Sequence, residues 1–155
     1  MTRPSWCVAV TVPLSWKATE MSPETRVTVA ILLITVCTIA FGGLSLLMQI
    51  VRRIPGYLDN PARRALWTAG HAHAGVLVLF ALATLPFVDQ AGYSDGLRTL
   101  IRVLLVAAPI LMPLGFFLSI VRPTATRPNK LIWLTGAGGL CLVVATLLLG
   151  VGLLV

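Results

Sequence analysis

Gly70-His71-Ala72-His73-Ala74-Gly75 lies inside an apolar run from residue 65 to residue 88 that contains no Asp, Glu, Lys or Arg. A helix of that length rises about 36 Å, enough to cross the hydrocarbon of a bilayer. The chain's two histidines therefore stand at membrane depth. A polar group placed there loses its hydration and needs a partner, a cavity or a cofactor in exchange, so an intramembrane ionisable pair is a functional signal by default.

The rest of the composition agrees with that setting. Hydrophobic residues make up 57% of the chain and charged residues 11%, whereas a water-soluble globule carries about 25% charge. The chain reads as an all-α integral membrane protein. Its 155 residues accommodate about four spans of ~20 residues with short connections. The expected architecture is one four-transmembrane-helix bundle, with helices near 26–50, 65–88, 99–121 and 131–155 and no soluble catalytic module.

A net charge of +7 would suggest nucleic acid in a soluble protein. Here the basic residues gather beside the apolar runs, which is a topology signal rather than a nucleic-acid surface. The first and third connections together hold Arg52, Arg53, Arg63, Arg64, Arg122, Arg127 and Lys130 against the single acid Asp59. That side is expected to be cytoplasmic, with both termini outside and the chain multi-pass in a cell membrane. The second connection carries Asp89 and Asp95. Arg102, one turn into the third span, is expected to snorkel to the interface, and Pro109 and Pro113 to bend that helix. Cys7, Cys37 and Cys141 form no Cys-x-x-Cys pair and no even-numbered framework.

Residues 1–21 hold a weak apolar patch, from Trp6 to Val12, interrupted by Pro13. It is too short to span a bilayer and lacks the plan of a signal peptide. The expectation is a disordered tail or a misassigned start. Ser22 followed by Pro23 and Glu24 has the pattern of a capped helix N-terminus, so the ordered domain is expected from residue 22.

Depth can be counted from the basic loops. His71 lies seven positions beyond Arg64, or about 10 Å deep. The same count reaches Ser45 in the first span, Gly115 in the third and Ala137 in the fourth, all small. Gly42, Gly43, Gly70, Gly75, Gly115, Gly136, Gly138 and Gly139 fall in this layer. Two meanings remain open and compatible: close helix packing, for which small residues are the usual membrane device, and space for a flat or bulky cofactor beside the histidines.

On a regular helix His71 and His73 point about 200° apart, so they do not chelate one ion together; i,i+4 spacing would be needed. Each imidazole is expected to serve a different neighbour. The His-x-His pattern is similar to the histidine-bearing helix of heme-copper oxidase subunit I and the related nitric oxide reductases. That resemblance implies axial heme ligation by His71 and His73, although the chain lacks the length and the further histidines of those enzymes. Gly70-His71-Ala72-His73-Ala74-Gly75, the segment from Pro109 to Phe117 and the loop Ala125-Thr126-Arg127-Pro128-Asn129 also resemble a group of small bacterial four-helix membrane proteins without an established activity.

Three functions follow as expectations. The first is binding of heme b or a transition metal for electron transfer, sensing or cofactor handling, with His71 and His73 as metal ligands. Met48, Met112 or a histidine of another copy would supply a second donor, and Gly115 would help form the cavity. The second is an assembly or structural protein whose neutral histidines are hydrogen-bonded to backbone carbonyls or to Ser45, Thr68 or Gln49. The third is a small dimeric transporter in which the histidines carry protons, as groups titrating near neutrality do. No nucleophile, base and orienting acid occur together, so a self-contained enzyme is not expected. Besides the lipid bilayer, the expected partner is a second copy of the chain or a larger membrane complex.

Overall fold

The computed structural model describes residues 21–155; the expectation for the tail at residues 1–20 lies outside them. Four helices account for this stretch: α1 (Pro23–Val51), α2 (Pro61–Val88), α3 (Asp95–Ser119) and α4 (Trp133–Gly152), the last entered through a 3-10 turn at Lys130–Ile132. All four spans are long and apolar enough to cross a membrane. The protein is a multi-pass, all-helical membrane bundle.

The first helix begins at Pro23 behind the Ser22 cap, as its sequence pattern predicts, ahead of the apolar edge at 26; the next two begin at Pro61 and Asp95, ahead of the edges at 65 and 99, because polar residues start them too. Ser22 accepts a hydrogen bond from Thr25 N at 3.2 Å, and Asn60 Oδ1 accepts one from Arg63 N at 3.0 Å. In both helices a proline takes the first position, where its missing N–H costs nothing. Inside α3, Pro109 and Pro113 are buried. Each removes one i to i−4 donor, yet the helix continues through both.

Helix α3 is the centre of the bundle, packed against α2 on one side and α4 on the other, while α1 leans mainly on α2. Glycines let α3 and α4 approach closely. A Cβ at Gly138 would lie 2.6 Å from Met112 N, and one at Gly115 would overlap the backbone of Thr135. Thr135 Oγ1 adds a hydrogen bond to the Met112 carbonyl at 3.3 Å. This is small-residue packing with a hydroxyl link, as expected of helices that associate in lipid.

The largest buried apolar cluster lies toward the end that carries the second connection, where Leu85, Val88, Ala91, Ile101, Leu105, Ala145 and Leu149 meet Leu32. The opposite end is held by its two basic loops. Asn60 Nδ2 donates to the carbonyls of Pro123 (2.9 Å) and Ala125 (2.8 Å), so the residue that caps α2 also clasps the loop before α4. Asn129 acts alike: its backbone N–H donates to Ser119 O at 2.8 Å and its Oδ1 accepts from Leu131 N at 2.8 Å. Beneath them the buried Tyr57 stacks obliquely on Trp67, which the Arg63 guanidinium covers at 4.0 Å.

Candidate functional site

The Gly70 to Gly75 segment is regular α2, so its two histidines do face different neighbours. His71 faces α1. A Cβ at Gly43 would come within 2.8 Å of its Nε2, and one at Gly42 within 3.8 Å of its Nδ1. The imidazole lies along the stretch of α1 backbone that these two glycines leave bare. A groove of about 300 Å³ opens beside it, lined by Val36, Ile39, Ala40, Gly43, Gly75 and Leu79 among others.

His73 turns toward α3. Its ring is tilted against Phe116 at a centroid distance of 5.1 Å. Nδ1 lies 2.7 Å from the Ala69 carbonyl. A carbonyl only accepts, so Nδ1 carries a proton, and the tautomer this contact selects has its lone pair on Nε2. His73 is exposed on the helix surface, and Nε2 makes no hydrogen bond to a described residue. Of the four imidazole nitrogens, only His73 Nδ1 has a partner among the described residues.

The other candidate residues do not all join this pair. Met112 and Gly115 face α4: the Met112 methyl would be 3.4 Å from a Cβ at Gly139, and Gly115 abuts Thr135. The depth count fixed their level in the membrane but not their face on α3. Met48 lies five residues beyond Gly43 on α1, about 140° around the helix from it. Gly70 accommodates Phe116 and Phe117, and Gly136 has nothing within 4 Å. The glycine layer therefore divides. Gly42 and Gly43 face a histidine, while Gly115, Gly138 and Gly139 hold α3 to α4. Thr68, a candidate partner for a histidine, instead has its hydroxyl 3.5 Å from that of Tyr57. No group of three or more His, Cys, Asp or Glu side chains converges on a point suited to a metal ion among the described residues.

A second polar site was not foreseen. Arg102 does not snorkel; it is 8% exposed. Its guanidinium pairs with Asp89 at the C-cap of α2, while Nε donates to Thr25 Oγ1 at 2.9 Å and Nη2 to Ser22 Oγ at 3.2 Å. Asp89 in turn accepts from Ser22 N (2.9 Å) and from the hydroxyls of Ser22 and Thr25 (3.0 Å each). Burial alone would raise the Asp89 carboxyl, but the hydrogen bonds from Ser22, Arg102 and Thr25 outweigh it and hold the group below its ordinary value. The sequence offered a signal in Asp89 ending one span and Arg102 entering the next. What it did not contain was the arrival of the α1 cap at the same place.

Comparison with protein families, with characterised proteins and with solved structures finds no match for this chain. Fold and sites together define its class: a four-span helical membrane protein with an ion pair linked to a third helix at one end and two divergent histidines on α2 within the other half.

Proposed function

We propose that this protein binds heme or a transition metal in the membrane, with His73 Nε2 as the primary ligand. The observation that carries the reading is the 2.7 Å contact between His73 Nδ1 and the Ala69 carbonyl. A backbone acceptor on one imidazole nitrogen fixes the tautomer, orients the ring and raises the basicity of the other nitrogen, which is the usual outer support of a histidine ligand. Because His73 is exposed on the bundle surface, the second donor comes from another copy of the chain or from a larger complex. Bound there, the group supplies redox or sensing chemistry; the chain holds the imidazole, and Phe116 shields one side of its ring.

His71 fits a ligand less directly, since its Nε2 is turned to the α1 backbone at Gly43. Its side chain would rotate into the adjoining groove to reach one. That seat favours a second reading for His71 alone, in which the ring is a wedge that sets the spacing of α1 and α2 in an assembly protein.

Absorption spectra of the detergent-purified protein, oxidised and dithionite-reduced, together with metal analysis, test the proposal. A chromophore or stoichiometric metal lost in His73→Ala and retained in Met112→Leu is the expected result. A colourless, metal-free protein from heme-replete and metal-replete cells overturns it.

The proposed orientation puts both basic loops in the cytoplasm and the two termini outside a cell membrane, following the distribution of Lys and Arg. A cysteine introduced at Asp95 is then labelled by an impermeant reagent from outside, and one at Asp59 is not.

A further inference from the structure

Between α1 and α3 runs a groove of about 450 Å³, lined by Ile31, Leu32, Val103, Val106, Ala107 and Ile110 with Glu24, Thr99 and Arg102 at its head. Its floor is closed by Leu32, 4% exposed, while Ile31, Val103 and Ile110 on the rim are more than half exposed. The same Glu24, Thr99 and Arg102 also line a polar chamber of about 400 Å³ that adds Ser22, Asp89, Asp95 and Arg98. The two spaces adjoin at these three residues, the polar one at the helix ends and the apolar one deeper in.

The polar chamber keeps unused hydrogen-bonding capacity of both signs. Arg102 spends Nε and Nη2 on Thr25, Ser22 and Asp89. Arg98 spends Nε and Nη2 on the Ala91 carbonyl at 3.1 and 2.8 Å, and its Nη1 stays 3.6 Å from Asp95, beyond hydrogen-bonding range. Among the described residues neither Nη1 atom has a hydrogen-bond partner, although both guanidinium planes are fixed by their other nitrogens. Glu24 is exposed in the first turn of α1, and its carboxylate likewise accepts from no described residue. Asp89 and Arg102 neutralise each other, which leaves Arg98 beside Glu24 and Asp95.

We propose that this groove holds one zwitterionic phospholipid. The phosphate lies on Nη1 of Arg98 and Arg102, the primary ammonium lies between Glu24 and Asp95, and one acyl chain runs between α1 and α3. A phosphate accepts from positioned guanidinium nitrogens, and a primary ammonium has three N–H donors for carboxylates. A quaternary ammonium has none. The head sits at the helix ends, at headgroup level, and the chain follows the span inward for about 12 Å, from Arg102 to Ile110. A purely anionic lipid would meet Glu24 and Asp95 unfavourably. The arrangement depends on neither histidine.

The test is native mass spectrometry of the full chain from micelles doped in turn with phosphatidylethanolamine, phosphatidylcholine and phosphatidylglycerol of identical chains. One phosphatidylethanolamine is expected to be retained about two- to fivefold over either other lipid, the range that a partly exposed ion pair supports. Glu24→Gln should abolish the preference over phosphatidylcholine. Ala107→Phe, which fills the apolar groove, should reduce retention of every lipid, whereas Ala137→Phe on the exposed face of α4 should not. Equal retention of the ethanolamine and choline lipids overturns the assignment. So does stronger retention of phosphatidylglycerol, or a lipid-free dimer whose groove is covered by the second copy. Should Ala107→Phe fail to accumulate, the Glu24→Gln comparison decides alone.

Discussion

The two polar sites meet the same penalty in opposite ways. At one end Asp89 and Arg102 are each about nine-tenths buried, and Ser22 and Thr25 from a third helix fill most of their hydrogen-bonding positions. In the other half His71 and His73 stand at membrane depth, and among the described residues the pair makes one hydrogen bond, from His73 Nδ1 to the Ala69 carbonyl. The ion pair is resolved within the chain and joins the ends of α1, α2 and α3. A buried ion pair that takes hydrogen bonds from a third helix is an element of architecture, whereas three of the four imidazole nitrogens make no hydrogen bond to a described residue.

Breaking the ion pair should give the largest effect. Arg102→Met leaves the Asp89 carboxylate buried without its cation and should cost about 3–5 kcal/mol, while Arg102→Met combined with Asp89→Asn should recover part of that loss. Thermal unfolding in detergent measures both, and a single variant as stable as the parent would erase the contrast between the two sites.

The same pair should give the bundle an acid limit. The Asp89 carboxyl is held below its ordinary value in the folded state, so its stabilisation is complete above the ordinary carboxylate value, near pH 4, and is lost as pH falls through the depressed folded value. The melting temperature should be level from pH 7 to about pH 5 and decline below about pH 4. Asp89→Asn should remove that decline; an unchanged profile in this variant would assign the acid limit to other groups.

Glycine substitutions sharpen the comparison at smaller amplitude. Gly115→Leu collides with the Thr135 backbone and should cost about 1–3 kcal/mol without changing ligand binding per folded molecule. Gly43→Leu meets the His71 ring instead, so it should displace the imidazole and alter the histidine site at a similar cost. Gly136→Leu, with open space around it, should stay within about 0.5 kcal/mol of the parent. Melting curves and ligand content of the three variants, measured together, separate a packing glycine from one that seats a histidine. Equal outcomes for Gly43 and Gly115 would merge the two halves of the layer.

The four spans were legible because uncharged apolar runs of this length have few other uses, and so was the Ser22 cap with Pro23 and Glu24 in the first turn of α1; α2 and α3 start earlier than their apolar runs because Asn60 and Ser94 put polar first turns ahead of them. The divergence of His71 and His73 followed from helical angle alone. Depth could be counted from the loops, but the face of a residue on another helix could not. For that reason Met112 and Gly115 were grouped with the histidines, although both look at α4. The Arg102 network escaped for a related cause: a long basic side chain near a span end is apolar along its stem and charged at its tip, and only its neighbours decide whether it reaches for water or for a carboxylate.

Asn60 joins the two basic loops through its side-chain amide, and its place in the sequence affects how that clasp ages. Conversion of the amide to an acid would keep the acceptor for Arg63 N but would turn an oxygen toward the carbonyls of Pro123 and Ala125, exchanging two hydrogen bonds for repulsion. Spontaneous deamidation proceeds through attack of the next residue's backbone nitrogen on that amide. The next residue is Pro61, whose nitrogen carries no hydrogen and does not close the ring. The proline that begins α2 thus closes the backbone-nitrogen route to deamidation at the preceding asparagine, and the amide that joins the two loops is kept from that loss.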